Sequence, residues 1–220
     1  MMDVEMHFGR WIRTGNVPKR ADFGPAFQDD WHYRPKADEQ ISQYGARRKS
    51  IRKFGFALPC REALNRIEAL SPLIEVGAGV GTWAAILSKR GVDIIATDRS
   101  FATHYGFHSG RYHPVMRMDA ENAVRNYADR NLLMIWPCYA AQWPTKAIRL
   151  LKPGRTLALI SEGDGGCCGD DSLFRHLDAY FRHIETIRIP CWDGLHDRLD
   201  LYRRVIAAPP AAHSSKDWEC

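Results

Sequence analysis

The sequence has no apolar run near the roughly 20 residues that a membrane-spanning helix requires. The longest, around residues 132–141, is about half that length and is broken by Pro137. Six cysteines stand at 60, 138, 167, 168, 191 and 220 without a CxxC pair, so neither a zinc ribbon nor a thioredoxin-like site is indicated. Reduced thiols are the expectation. The first 20 residues mix acids and bases with His7 and Trp11 and contain no apolar stretch, so no secretory signal is read. A cytoplasmic protein without membrane association is expected. Charge of one sign is scarce as well: 31 Lys and Arg face 26 Asp and Glu, and only Arg47–Lys53 gathers bases, as Arg47, Arg48, Lys49, Arg52 and Lys53. That run reads as a solvated helix face, with a phosphate- or RNA-binding patch as the alternative.

What is present suits one folded domain. A chain of 220 residues, 45% of them hydrophobic, can bury a sizeable core without metal or disulfide staples. Residues 1–35, rich in Pro, Gly and aromatics without a clear period, are expected to form an irregular arm that could drape over a site. Two helices follow, one from Asp38 to about Lys53 and one after Pro59 with Ala63, Leu64, Ile67 and Leu70 on a face. The tail 207–220, rich in Pro, Ala and Ser, is expected to be disordered. The main domain is therefore bounded at 36–206.

From Leu73 short apolar runs alternate with helical stretches. Strands are predicted at 73–76, 93–97, 115–118, 132–136 and 156–160, with helices at 82–90, 120–128, 145–151 and 172–181 between or after them. This order predicts an α/β fold, a mostly parallel sheet with helices on both faces and right-handed crossovers. Runs at 184–189 and 198–206, joined by a short loop, should close the sheet with an antiparallel C-terminal strand.

The segment L-I-E-V-G-A-G-V-G-T-W at 73–83 sets Gly77, Gly79 and Gly81 on alternate positions between a strand and a helix. Glycines let the backbone turn sharply and come close to a ligand, and the helix start offers free N–H groups. A nucleotide-like ligand is implied. A dinucleotide fingerprint places its third glycine where Thr82 stands, and Glu75 precedes Gly77 by two, so nicotinamide binding loses ground. The next strand ends at Asp98, 21 residues after Gly77, where a carboxylate can accept ribose hydroxyls; a third ends at Asp119, followed by Ala120.

Together, Glu75-x-Gly77-x-Gly79-x-Gly81, Asp98 and Asp119 resemble the class I S-adenosylmethionine-dependent methyltransferases over roughly residues 55–206. The resemblance implies a Rossmann-like, seven-stranded sheet with S-adenosyl-L-methionine as cofactor. It places the three glycines along the cofactor, Asp98 on its ribose, Asp119 and the Ala120 amide at adenine, and Glu75 orienting the loop. The run FGFALPCREALNRIEALSPLIEVGAGVGTWAAIL at 54–87, with LLMIWPCYAAQWPTKAI, ISEGDGGCCGDD and IPCWDGLHDRLDLYRR, is similar to a group of methyltransferase-like proteins whose members read WPPY, EGxGGC and W-x-G-x-HD. That group implies no particular substrate.

The fourth strand ends in Trp136-Pro137-Cys138-Tyr139, similar to the (N/D)PPY motif of nitrogen methyltransferases but with Trp136 for the polar residue and Cys138 for the second proline. Trp136 and Tyr139 are candidates for the wall of an acceptor pocket, since π faces attract a sulfonium; Trp83 reads as a core aromatic. Glu162, opening a glycine-rich loop at the end of the fifth strand, is a candidate carboxylate there. The loop 190–197 returns to the same edge with Trp192, His196 and Asp197, and His196 is the candidate proton acceptor near neutral pH. No metal ligand set is read: Gly106 and Gly110 interrupt any helix that would bring His104, His108 and His113 together. The expected activity is methyl transfer to a small-molecule acceptor. The alternatives are a nucleic-acid methyltransferase and a nonenzymatic cofactor-binding protein on the same fold. Sequence leaves the oligomeric state open.

Overall fold

The computed structural model describes residues 4–28, 37–100 and 111–205. Two helices lead, α1 (Val4–Thr14) and α2 (Ala37–Phe54), with short 3-10 turns at Arg20–Phe23 and Pro25–Phe27 between them. Then come α3 (Arg61–Glu68), β1 (Leu73–Val76), α4 (Thr82–Lys89), β2 (Ile94–Asp98), β3 (Val115–Arg117), α5 (Ala120–Asn126) and β4 (Asn131–Ile135). The chain continues with α6 (Trp143–Arg149), β5 (Thr156–Ser161), α7 (Asp171–Tyr180), β6 (Phe181–Arg188) and β7 (Arg198–Arg204).

Among the described residues the strands form one seven-stranded sheet in the order β3-β2-β1-β4-β5-β7-β6. β1 to β5 run parallel, and β7 lies antiparallel to both β5 and β6. The α/β class expected from the alternation, and the Rossmann-like seven-stranded sheet that the resemblance implies, are the ones observed. The order reverses between β1 and β4, and ligands of open α/β sheets bind outside the carboxyl ends of strands at such a point.

Strand periodicity distributes the core over two faces. Leu73, Leu133, Ala158 and Ile160 face α1 to α4, whereas Ile74, Leu132, Leu157 and Leu159 face α5 to α7. Glu75 follows Leu73 by two and so points into the first of these cores. Its burial is dictated by register.

Two expectations need correction. The irregular arm expected over residues 1–35 is, in its described part, a helix and two 3-10 turns built into the first core. Phe8 and Trp11 stand three apart on one face of α1, and with Val17, Phe23 and Phe27 they are buried. Trp11 is only 2% exposed, and the Phe8 ring stacks on Phe54 at 4.6 Å. Aromatic burial, and not backbone propensity, orders this segment. The other parts of that arm, 1–3 and 29–35, and the tail 207–220 lie outside the described residues. β6 begins at Phe181, earlier than expected, because Phe181 pairs with Arg204 and an irregularity between His183 and Glu185 carries the strand past its polar stretch. Among the described residues no helix is long and apolar enough to cross a membrane.

Candidate functional site

The turn from β1 into α4 is made by three glycines in the left-handed region, Gly77 (φ 68°), Gly79 (φ 55°) and Gly81 (φ 74°). Their surroundings differ. A Cβ at Gly77 would stand 3.0 Å from the Trp143 ring, and one at Gly81 would stand 3.0 Å from both His113 Cβ and Val115 Cγ2. At Gly79 a Cβ would meet nothing within 4 Å, so this glycine borders open space.

The turn is laced to the next strand. The Ala78 N–H donates to the Thr97 carbonyl at 3.0 Å, and the Gly79 N–H donates to Asp98 Oδ2 at 2.8 Å. Asp98 Oδ1 accepts from Ser100 N–H at 2.8 Å. Burial pushes the Asp98 carboxyl up, against the downward pull of those two N–H groups. Glu75 stands behind the loop, 2% exposed, with the Ala84 N–H of the first α4 turn on its carboxylate and Oε2 without a hydrogen-bond partner. Burial pushes it up to about 8, and the nearby Asp98 charge pushes the same way. Its contact is therefore with the helix that the loop opens.

Asp119 caps α5, accepting from the Asn122 N–H at 2.8 Å and its side-chain amide at 2.7 Å. The Asn122 backbone N–H holds this carboxyl below the usual range. Ala120 is the first residue of α5, and the Met118 N–H donates to the Asp98 carbonyl at 3.0 Å. Asp119, Asp98 and the glycine turn thus follow one another along the carboxyl edge of β3, β2 and β1.

On the other side of the reversal, at the ends of β4, β5 and the β6–β7 loop, a second group assembles. Trp136 adopts φ 49°, an uncommon conformation for a bulky residue, with its ring stacked on Phe56 at 4.7 Å and 7°. Its Nε1–H donates to Asp197 Oδ1 at 2.8 Å. Glu162 accepts the Cys167 N–H at 2.9 Å and the His196 N–H at 3.3 Å, and its own carbonyl accepts from Arg198 at 3.1 Å. Trp136, Glu162 and His196 are thereby brought together around Asp197. Tyr139 is not: its ring is 73% exposed, on a loop held by the Ala140 N–H to the Gly169 carbonyl at 2.7 Å.

Asp197 was expected at this edge with Trp192 and His196 but without a role of its own, and it stands at the centre of this group. It is 3% exposed, with Oδ2 lacking a hydrogen-bond partner. Burial pushes it up to about 7; the Trp136 N–H pulls it down, the Glu162 charge pushes it up, and Arg47 and His196 pull it down. The basic run on α2 divides accordingly: Arg48, Lys49 and Arg52 are exposed, while Arg47 is half-buried and lines a cavity of about 390 Å³ with Gln43 and Trp192. The leading segment reaches the same place, since the Phe27 carbonyl accepts the Cys191 N–H at 2.8 Å and the Phe27 ring meets Trp192 edge-on at 5.4 Å. Trp83 is buried in the first core, as expected of a core aromatic. His104 and His108 lie outside the described residues; among the described residues no group of three His, Cys, Asp or Glu side chains is placed to hold a metal ion.

No protein-family model and no curated protein matches the chain. Solved structures do. The chain is similar to the 1,6-didemethyltoxoflavin-N1-methyltransferase of Burkholderia thailandensis, with bound 1,6-didemethyltoxoflavin and S-adenosylhomocysteine, at 18% identity over 66% of this chain and 77% of that one (TM-score 0.46). It is similar to an rRNA methylase from Streptococcus thermophilus at 12% identity over 66% and 93% (TM-score 0.42). It is also similar to the N-methyltransferase NodS from Bradyrhizobium japonicum at 14% identity over 66% and 93% (TM-score 0.40).

Proposed function

We propose that the chain is an S-adenosylmethionine-dependent methyltransferase acting on a small-molecule acceptor. One observation carries the reading: a left-handed glycine turn, a half-buried carboxylate tied to it and a second carboxylate on the next strand end stand in a row beside the order reversal of the sheet. That donor and acceptor set fits an adenine nucleoside with a charged tail. Gly79 leaves room for close backbone approach, and the two carboxylates can take hydroxyl and amine hydrogens. When bound, S-adenosylmethionine supplies an electrophilic methyl carbon on a cationic sulfur.

The chain's own residues hold and orient. Asp98 takes the ribose hydroxyls while one of its oxygens keeps the Gly79 N–H, so ribose and loop are positioned by one side chain. Asp119 and the Ala120 amide face the adenine edge, and Gly77, Gly79 and Gly81 line the tail. Glu75 fixes the start of α4 from behind. The half-buried Trp136 and Glu162 and the buried Asp197 stand on the acceptor side, where they limit the access of water to the reacting atoms.

Calorimetric titration with S-adenosylmethionine, S-adenosylhomocysteine and NADH tests this. Binding of the two sulfur nucleotides alone is expected, weakened about tenfold or more in Asp98→Ala, the effect of losing hydrogen bonds to a charged group. An Asp98→Ala protein that binds as tightly as the parent refutes the reading. A second reading, a nucleic-acid acceptor, is favoured by the exposed Arg48, Lys49 and Arg52 on α2. It requires RNA or DNA binding that falls with salt.

A further inference from the structure

Asp197 carries a hydrogen-bonding capacity that the fold builds and leaves unmet. Its Oδ1 is fixed by the Trp136 Nε1–H at 2.8 Å, and Trp136 is itself fixed, with its ring flat against Phe56 and its backbone N–H on the Ile160 carbonyl at 2.9 Å. The left-handed φ of Trp136 is a conformation that costs a bulky residue free energy, and such residues cluster where a side chain must be aimed. Oδ2 is buried without a hydrogen-bond partner among the described residues. A buried acceptor in that state loses its hydration and regains nothing until a donor meets it. Asp197 and His196 also border a polar cavity of about 420 Å³ whose wall continues along the β6–β7 hairpin through Arg188, Arg198, Asp200 and Tyr202.

We propose that Asp197 Oδ2 is the acceptor-binding carboxylate of the site, taking the N–H or O–H of a small molecule whose donor atom is presented to the end of β4. Trp136 is its positioning residue. The inference rests on the methyltransferase reading for the meaning of that donor, which is then the atom to be methylated. Trp136 stands where the related motif carries a polar side chain, and here its indole N–H reaches across β5 to a carboxylate from the β6–β7 loop that does the same task. The site discriminates by hydrogen count: when a methyl group replaces the donor's last hydrogen, that proton passes to Asp197 Oδ2, S-adenosylhomocysteine is the leaving group, and the product keeps no hydrogen by which Oδ2 could hold it.

Four groups face Asp197 electrostatically: Glu162 and Cys168 from the loop after β5, Arg47 from α2, and His196 beside it in the chain. A neutral N–H or O–H donor is the ligand that this mixed charge accepts without disturbing its balance.

The test uses phenol and aniline against their fully methylated counterparts, anisole and N,N-dimethylaniline. Each is titrated into full-length protein labelled with carbon-13 at aspartate carboxyls, in the presence of S-adenosylhomocysteine. The Asp197 signal is identified by its absence in Asp197→Asn. Phenol and aniline should shift that signal saturably and the methylated pair should not; Asp197→Asn should bind the donors about tenfold more weakly while keeping its affinity for S-adenosylhomocysteine. Trp136→Phe, which keeps the ring and removes the N–H, should weaken donor binding with the Asp197 carboxyl still present, and it serves should the asparagine variant not fold. Equal shifts from the two pairs, or no shift from either, overturn the proposal. Donor-specific shifts in a protein that does not bind S-adenosylhomocysteine support the Asp197 site and overturn the methyltransferase reading.

Discussion

Replacing Glu75 by glutamine should remove a pH dependence from the stability of the whole protein. The side chain is 2% exposed, its nearest charge is the like-signed Asp98, and its one backbone donor is the Ala84 N–H. In the unfolded chain this carboxyl ionises near its ordinary 4.5, and in the folded protein it keeps its proton until about 8. Between those values the unfolded state binds fewer protons than the folded one, so unfolding becomes easier as pH rises. Below pH 4.5 both states are protonated and the penalty is absent; above about pH 8 both are ionised and it is complete. At about 1.4 kcal/mol for each pH unit, the interval amounts to about 5 kcal/mol. That is a large part of the 5–15 kcal/mol or so by which domains are stable.

Glutamine has the same shape, can accept the Ala84 N–H and does not titrate. Urea unfolding of both proteins at intervals between about pH 5 and pH 8 measures the difference. Glu75→Gln should gain on the parent steadily across that window, reaching the greatest advantage at its alkaline end. Asp197, pushed up to about 7, imposes a similar fall on both proteins and cancels from the comparison. Two stability curves that run parallel over the whole window would refute the reasoning, because they would mean that Glu75 ionises as freely in the fold as out of it.

Gly81→Ala, at φ 74° and with its new Cβ 3.0 Å from His113 and Val115, should lose about 2–4 kcal/mol in chemical unfolding, the left-handed penalty plus the contact. Trp11→Ala should lose about 3–5 kcal/mol if α1 belongs to the core, and less than about 1 kcal/mol if it merely rests on it. Tyr139→Ala, at a site 73% exposed, should leave stability within about 0.5 kcal/mol of the parent, measured by the same unfolding curves.

How far the sequence could be read follows from the range of the forces involved. β1 was legible to the residue, and β2 to β5 nearly so, because buried parallel strands are written as short apolar runs between turns and helices. That the glycines, Asp98 and Asp119 stand at strand ends was legible because strand ends are local features. α1 was missed because its buried face rests on Phe8 and Trp11 among polar neighbours, and the aromatic partners that order it, such as Phe54, come from far along the chain. Asp197 was not assigned for the same reason. Its bond to Trp136 joins residues 61 apart, and neither the loop nor the strand end announces the other. Tyr139 is the opposite case, since a motif places the residue in sequence while the loop leaves it exposed and apart from the Asp197 group.

The carboxyl edge of the sheet therefore holds three carboxylates, Glu75, Asp98 and Asp197, whose proton affinity rises on folding, and burial is the leading cause for each. Such groups weaken the folded state at neutral pH, so the stability that tolerates them has to come from elsewhere. The aromatic packing of α1 and the following turns against the sheet face is where it is found. Among the described residues Asp197 Oδ2 has no hydrogen-bond partner, and Asp98 takes the N–H groups of Gly79 and Ser100. A ligand presenting N–H or O–H groups along this edge thus gains twice, from its own contacts and from the return of hydrogen bonding to buried oxygens. By linkage it also lowers the proton affinity of the carboxylate it meets, so binding at Asp197, pushed up to about 7, is accompanied by proton release near neutral pH. The two sides of the order reversal are in this sense one design, a stable frame carrying an edge that is completed only by what it binds.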